Sequence, residues 1–159
     1  MKSRWIFSLS LVLLISCSPQ TYEALANGEQ ELSFEWVAMG CYGKCPQYAA
    51  LIENGQLRFI GSVNTKFIGD TLIADFEDTE RALIEKLTQI DFLALDSIYS
   101  LGGSTYDGPS YRYNLSTRAS STGGYFIGQK SVLTYGAEPD SLNSLSKWLN
   151  QQLVEAGLL

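Results

Sequence analysis

The chain reads SFEWVAMGCYGKCPQYAALIENGQLRFIGS between residues 33 and 62. This stretch decides the fold because it contains three consecutive segments typical of β-strands, separated by short turns. In the first segment apolar residues recur with the two-residue period of a half-buried strand. Its apolar positions are Phe34, Trp36 and Ala38. Residues 47–53 and 56–62 predict a second and a third strand, so the domain is expected to begin with a three-stranded meander.

The two turns of the meander fix which residues face each other. Asn54-Gly55 is a strong signal for a two-residue hairpin loop, and Tyr42-Gly43-Lys44 is expected to be a three-residue loop. The resulting pairs are Ile52 with Leu57, Ala50 with Phe59, Tyr48 with Gly61, Ala38 with Tyr48, Trp36 with Ala50 and Phe34 with Ile52. All of these residues share one face of the sheet, which we expect to form the core.

The same register places Cys41 opposite Cys45, with both side chains on the other face and at a separation that a disulfide can bridge. A structural disulfide would fix the first hairpin. The alternative is a redox-active pair that exchanges disulfides. Redox pairs typically have two intervening residues at the start of a helix, whereas three residues intervene here between predicted strands. The pattern therefore favours a structural bond.

The remainder of the chain predicts further strands and two helices. The expected elements are an irregular strand within residues 66–76, a helix that begins near Asp78, strands at residues 111–115 and 125–135 around a polar loop at 116–124, and a helix that follows Pro139 and ends near Gly157. One side of the last helix carries Leu142, Leu145, Leu149 and Leu153. The predicted fold class is α+β, with an antiparallel sheet of about five to six strands and two helices packed on one face.

The N-terminal segment has the order of a bacterial signal peptide. Lys2 and Arg4 come first, an apolar run follows, and residues 14–17 read LISC. The apolar run is shorter than the roughly 20 residues that span a membrane. LISC resembles the lipobox of bacterial lipoproteins, which implies cleavage before Cys17 and lipidation of that cysteine. We therefore expect a signal peptide at residues 1–16.

The chain after the cleavage site is expected to have two parts. Residues 17–31 are mainly polar and show no sustained apolar period, so they predict a lipidated N-terminus followed by a flexible tether. Residues 32–159 are long enough for a single α+β domain.

The composition limits the kinds of function. The chain has 17 acidic and 11 basic side chains and a formal net charge of −6, which disfavours a nucleic-acid-binding surface. It contains no histidine, so neither a Ser-His-Asp triad nor a Cys-His pair can form, and zinc sites built on histidine are excluded. We predict no catalytic residues, no metal site and no cofactor, and the protein is not expected to be an enzyme.

Two tyrosines fall in predicted loops, where side chains that recognise a partner are common. A rigid aromatic ring with a polar tip suits recognition of peptides or glycans. The candidate recognition residues are Tyr42, Gly43 and Lys44 in the loop between the cysteines, together with Tyr106.

Residues 41–48 read CYGKCPQY, a CYGxCPxY-type signature that resembles an uncharacterised bacterial family, domain of unknown function 6438, common in envelope proteins. The resemblance covers about residues 32–153 and includes the Asn54-Gly55 hairpin, a helix that ends in Phe92-Leu93, Tyr99, the Asp107-Gly108-Pro109 turn and the last helix. It implies a fold and a location in the cell envelope. It brings no known activity, ligand or catalytic residue.

These patterns favour a membrane-anchored envelope lipoprotein that acts as a binding module. Two alternatives stay open: an envelope thiol-disulfide oxidoreductase that uses Cys41 and Cys45, and a lipoprotein inhibitor that presents residues 42–44 to an envelope enzyme. The expected partners are the membrane, through the lipid anchor, and an envelope protein, peptide or glycan, but not nucleic acid. The expected location is the bacterial cell envelope, with the outer membrane favoured over the inner membrane.

Overall fold

The structure is a computed structural model that describes residues 18–101, 107–120 and 126–159. Within these ranges it contains three α-helices, one short 3-10 helix and seven strands. The helices are α1 (Ser18–Ala26), α2 (Glu77–Gln89) and α3 (Asp140–Glu155), and the 3-10 helix is Phe92–Ala94. The strands are β1 (Gln30–Met39), β2 (Gln47–Glu53), β3 (Gln56–Val63), β4 (Gly69–Ile73), β5 (Ile98–Ser100), β6 (Ser110–Ala119) and β7 (Phe126–Tyr135).

The strands form one sheet in the order β4-β3-β2-β1-β6-β7-β5. The predicted meander of β1, β2 and β3 is confirmed, and all six predicted residue pairs are present. Asn54 and Gly55, both with positive φ, form the two-residue turn between β2 and β3. β1 lies at the centre because it pairs with β2 on one side and, over its whole length, with β6 on the other.

One face of the sheet carries the core and is covered by the helices. Every second residue of β1 from Leu32 to Ala38 is buried, as the two-residue period predicts. These side chains belong to one apolar cluster with leucines of α2 and α3. The leucines that α2 and α3 contribute to that cluster are Leu83, Leu87, Leu142, Leu145, Leu149 and Leu153. The predicted leucine stripe of the last helix is therefore confirmed as a core-facing stripe.

The sheet differs from the prediction in strand number and in strand direction. An antiparallel sheet of five to six strands is expected from the sequence, whereas the described ranges contain seven strands, and β5 runs parallel to β7. β5 has only three residues, too few for a two-residue period to be recognised. Its direction is set by pairing with β7, a segment that is distant in sequence. The coarser prediction of an α+β domain is confirmed.

The prediction of a flexible tether at residues 17–31 is wrong for most of that segment. Residues 18–26 form α1, and β1 already begins at Gln30. Tyr22 and Leu25 are only 5% and 4% exposed, and the N–H of Leu93 donates a hydrogen bond to Tyr22 Oη at 2.8 Å. Burial raises the pKa of Tyr22 to about 12. Two apolar residues on one turn are too few to reveal a helical period, although they are enough to dock the helix on α2.

The boundary of one predicted loop also shifts. A polar loop is predicted at residues 116–124, whereas β6 continues to Ala119. The strand extends because β1 supplies backbone partners as far as Gln30, which pairs with Ala119. Thr117 is buried beside Leu32 on the core face, so a polar residue here occupies a core position.

The segment that carries the predicted signal peptide and Cys17 lies outside the described residues. Among the residues that are described, no helix combines the length and the apolar character needed to cross a membrane.

We predict that α1 contributes to the stability of the domain. Leu25→Ala is expected to lower the free energy of unfolding by roughly 2–4 kcal/mol, because it removes buried methyl and methylene groups from the contact with the core. Urea denaturation measures this change. Glu23→Ala, on the exposed side of the same helix, is the matched control and is expected to have little effect. Equal stabilities for the Leu25 variant and the wild type would mean that residues 18–26 act as a tether.

Candidate functional site

Several connections of the chain meet at one end of the sheet. Met39 pairs with Ser110, and Ser110 pairs with Tyr135, so the end of β1, the start of β6 and the end of β7 lie side by side. The connections at this end include residues 40–46, here termed the disulfide loop, the loop from β3 to β4 at residues 64–68, the turn at residues 107–109 and the link from β7 to α3 at residues 136–139.

A disulfide joins Cys41 to Cys45, as predicted. The two Cα atoms are 5.7 Å apart, within the range usual for disulfides. The bond closes the loop between two antiparallel strands, β1 and β2. Neither cysteine lies at the N-terminus of a helix, where the helix dipole would lower the pKa of a thiol and make it reactive. This setting suits a bond that constrains the loop.

Two other loops hold the disulfide loop in place. The N–H of Tyr42 donates a hydrogen bond to Oδ1 of Asp107 at 3.0 Å, which connects the loop to the turn before β6. On the other side, Nδ2 of Asn64 donates to the carbonyl oxygen of Cys45 at 3.2 Å. The disulfide thus closes the loop on itself, and the two hydrogen bonds attach it to segments that are distant in sequence.

The central residues of the disulfide loop face solvent. Tyr42 is 95% exposed, the highest value among the large apolar or aromatic residues in the described ranges. Gly43 and Lys44 are exposed as well. A tyrosine held outside the core on an anchored loop exposes its ring and its hydroxyl to solvent. The predicted recognition residue Tyr106 and the predicted lipidation site Cys17 lie outside the described residues.

A network of polar side chains lies between the sheet and α3, near the same end. Thr134 donates a hydrogen bond to Oε1 of Glu138 at 2.7 Å. The Tyr113 hydroxyl contacts the Ser146 hydroxyl. The Tyr113 hydroxyl also lies 3.3 Å from Oε1 of Glu138, and the Ser146 hydroxyl lies 3.3 Å from Oε2 of the same carboxylate. Tyr113, Thr134 and Ser146 are all buried, so the network lies within the core beside its apolar cluster.

Two buried tyrosines connect the network to the neighbouring strands. The Tyr48 hydroxyl donates a hydrogen bond to Oδ1 of Asn150 on α3, and its ring stacks on Phe59 with a centroid distance of 5.5 Å. Tyr113 stacks on Tyr111 at 6.1 Å. Burial raises the pKa of both Tyr48 and Tyr113 above the ordinary tyrosine value. Both hydroxyls therefore remain protonated at neutral pH, and Tyr113 cannot act as a base toward Ser146.

A cavity of about 360 Å³ opens beside this network and is here termed the polar cleft. Its walls come from the turn before β6, the start of β6, the link between β7 and α3, and one side of α3. The lining residues are Pro109, Tyr111, Gly136, Glu138, Asn143, Ser146, Lys147 and Asn150. The lining combines one carboxylate, one ammonium group, two amides, the hydroxyl group of Ser146 and an aromatic ring, which are groups that can hydrogen-bond to a ligand or stack on it.

A larger cavity of about 650 Å³ lies at the opposite end of the sheet, near the Asn54-Gly55 turn. Glu80 lines it and accepts a hydrogen bond from the N–H of Gly55. Burial raises the pKa of Glu80, and the negative charges of Glu77 and other nearby glutamates raise it further. In the part of the chain that the structure describes, no three histidine, cysteine, aspartate or glutamate side chains are placed to hold a metal ion.

Sequence reasoning misses several residues that the structure brings together. Asp107 reads as an ordinary turn aspartate, because nothing in its own neighbourhood indicates that its carboxylate accepts from a loop 65 residues away. A signal for the polar cleft does exist in the sequence of α3. Polar residues recur at helical spacing beside the leucine stripe, at Asn143, Ser146, Lys147 and Asn150.

Most of the chain, from β1 into α3, matches the model of a known protein family. A family model with the description Domain of unknown function (DUF6438) matches residues 30–153. The chain belongs to the DUF6438 family. The DUF6438 match begins at the first residue of β1 and ends in α3, so it includes the disulfide loop and the polar cleft but not α1. No curated protein and no solved structure matches the chain.

We predict that the disulfide stabilises this DUF6438 domain. Replacing both Cys41 and Cys45 by serine is expected to lower the free energy of unfolding by about 2 kcal/mol, because closing a short loop removes conformational entropy from the unfolded chain. Urea denaturation with and without a reductant measures the loss. Reductant should lower the stability of the wild type to that of the variant and leave the variant unchanged. A wild type that is insensitive to reductant would contradict the prediction.

We also predict that Asp107 immobilises the disulfide loop. Asp107→Ala should raise the hydrogen-exchange rate of the Tyr42 amide about fivefold, since a hydrogen bond of about 1 kcal/mol is lost. Exchange measured by NMR reports on this amide directly. Asp107→Asn is the matched control because it keeps an acceptor oxygen at the same position, so exchange should stay close to that of the wild type. Identical exchange in all three proteins would mean that this hydrogen bond does not hold the loop.

Proposed function

We propose that this protein is a lipid-anchored envelope lipoprotein whose α+β domain acts as a binding module, with the disulfide loop as its contact surface. The observation that carries the proposal is the almost complete exposure of Tyr42 on a loop that is closed by a disulfide and attached by Asp107 and Asn64. An exposed aromatic residue on an anchored loop contributes nothing to the core, so a role in recognition is the best use for it.

The physical advantage of such a loop is a low entropic cost of binding. A flexible loop loses conformational freedom when a partner orders it, and this loss weakens the complex. The disulfide and the two hydrogen bonds impose most of that order before binding. Tyr42 adds a ring with a polar tip, and Lys44 adds a positive charge beside it. The proposed partner is another envelope component, a protein, peptide or glycan.

The membrane anchor is part of the proposal and rests on the N-terminal sequence. Cys17 follows a charged start and a short apolar run in the order of a lipoprotein signal. Acyl chains on this residue would bind a bilayer with about 0.8 kcal/mol per buried methylene group, so no spanning helix is required. The proposed location is the bacterial cell envelope, with the outer membrane favoured over the inner membrane.

The two alternatives differ in what they require of the disulfide loop. An oxidoreductase needs a reactive thiolate, and the position of Cys41 and Cys45 between strands provides no helix dipole to stabilise one. An inhibitor of an envelope enzyme would use the same exposed residues, Tyr42 and Lys44, as a binding module does. The identity of the captured partner distinguishes an inhibitor from other binding proteins.

We predict that Cys17 carries the anchor. Cys17→Ala should block lipidation and prevent the protein from being held by acyl chains. Metabolic labelling with a tagged fatty acid, followed by fractionation of the envelope, measures both effects. Ser16→Ala, which keeps a small residue before the cysteine, is the control and should be labelled normally. Equal labelling of the wild type and the Cys17 variant would refute the assignment.

We predict that the disulfide loop contacts the partner. The double variant Tyr42→Ser/Lys44→Ser should fold normally, because both side chains are exposed, and should recover less partner when the intact protein is captured from its own envelope. Mass spectrometry identifies and quantifies the eluate. The matched control is Leu72→Ser/Arg81→Ser, which alters one exposed apolar and one exposed cationic residue on β4 and α2. If both double variants recover the same partners in the same amounts, the loop is a turn without a binding role.

A further inference from the structure

The polar network beneath α3 is costly for the fold unless its groups are bonded. A buried hydroxyl without a hydrogen-bond partner destabilises the folded state, and apolar side chains of similar size would fill the same space without that penalty. Tyr113, Thr134 and Ser146 nevertheless occupy core positions here. All three direct their hydroxyl groups to Glu138, a residue that is only partly buried and that lines the polar cleft.

The network fixes the Glu138 carboxylate without saturating it. Thr134 donates one hydrogen bond to Oε1. Tyr113 and Ser146 contact each other as well as Glu138, but their two hydroxyl groups have only two protons for these three contacts. One proton lies between the two hydroxyl groups, so only the other is donated to Glu138. A carboxylate accepts about four hydrogen bonds. Glu138 therefore keeps acceptor capacity while its orientation is held from the protein side.

Asn150 offers the cleft a hydrogen-bond donor, whereas Glu138 offers an acceptor. Its Oδ1 accepts the hydrogen bond from the Tyr48 hydroxyl, which fixes the amide and leaves the Nδ2 group as a donor at the wall of the polar cleft. Asn143, Lys147 and Asn150 follow one another along the same side of α3, each about one turn after the one before. Lys147 is exposed and supplies further donors.

These groups define the chemistry of a ligand. A fixed acceptor on Glu138, a fixed amide donor on Asn150, a second amide on Asn143 and an ammonium group lie around one cavity, so a ligand must offer closely spaced groups that both donate and accept. Hydroxyl groups do both. A phosphate or carboxylate ligand would be attracted by Lys147 but repelled by Glu138, and an ammonium ligand would be attracted by Glu138 but repelled by Lys147, so the pair gives neither kind of ion a clear net attraction. A neutral ligand avoids both repulsions.

The aromatic side chain in the wall of the polar cleft limits the class of ligand further. The Tyr111 ring lines the cleft and is supported from behind by its stacking on Tyr113. An aromatic face suits the C–H groups of a ring that carries hydroxyls on its edge. The volume of about 360 Å³ lies at the small end of the range of ~300–1,000 Å³ for small-molecule sites, which suits a short ligand. We propose that the polar cleft binds a sugar residue through Glu138, Asn143, Lys147 and Asn150, with Tyr111 as the stacking face.

This inference goes beyond the binding role of the disulfide loop and does not depend on it. The cleft residues lie on β6, α3 and the link before α3, whereas the loop residues Tyr42 and Lys44 lie between β1 and β2. Variants of one site leave the side chains of the other unchanged, so each proposal can fail alone.

The experiment uses the full chain, purified in a zwitterionic detergent without a sugar headgroup. It is titrated with glucose, galactose, mannose and N-acetylglucosamine, and with acetate, inorganic phosphate and methylammonium as charged probes. Saturation-transfer NMR and calorimetry measure binding. Asn143→Ala and Lys147→Ala are each expected to weaken sugar binding about tenfold, the effect of losing one hydrogen bond to the ligand. Gln151→Ala, an exposed change on the same helix, is the matched control and should bind as the wild type does.

Saturable binding of at least one sugar that is weakened by the two cleft variants and kept by the control supports the proposal. The proposal is overturned if none of the sugars binds the wild type, if only the charged probes bind, or if sugar binding is unchanged in both cleft variants. Thermal unfolding of each variant shows whether it is folded. Where a variant is unstable, the amide resonances of Asn143 and Lys147 in the wild type decide the outcome: shifts of these resonances on addition of the sugar support the proposal, and shifts confined to other parts of the chain overturn it.

Discussion

The backbone hydrogen bonds of β1 hold the two halves of the sheet together. β1 is hydrogen-bonded on both edges, to β2 in the meander and to β6 over its whole length. It therefore joins two parts of the chain that are far apart in sequence. Its alternate residues also place Phe34 and Trp36 at the centre of the core, where α2 and α3 cover them. A shift of one residue in this register would move all of these side chains to the other face.

The same pairing brings the disulfide loop to its supports. Because β1 and β6 are in register up to Met39 and Ser110, the loop that follows β1 lies next to the turn that precedes β6. Asp107 in that turn can then accept the N–H of Tyr42. The position of the exposed tyrosine is thus a consequence of the sheet register. The disulfide then restricts the motion of the loop that the register has positioned.

The two candidate sites use different physical means of preorganisation. In the disulfide loop, a covalent bond and hydrogen bonds from neighbouring loops restrict an exposed segment. In the polar cleft, buried hydroxyl groups hold Glu138 from inside the core, so the carboxylate is oriented by residues that a ligand would not touch. A buried polar network has value when its members are bonded, because it then fixes one arrangement of the side chains around it.

The meander, its register, the disulfide and the leucine stripe of α3 could all be predicted from the amino-acid sequence. These features depend on local patterns, since a two-residue turn sets the pairing of adjacent strands and a helical period identifies a buried face. The tertiary structure decided the parallel pairing of β5, the docking of α1 through Tyr22 and Leu25, the contact of Asp107 with the disulfide loop, and the assembly of the polar cleft around Glu138. Each of these depends on residues that are far apart in the chain or on too few residues to form a period. Only the packing of the whole domain brings them together.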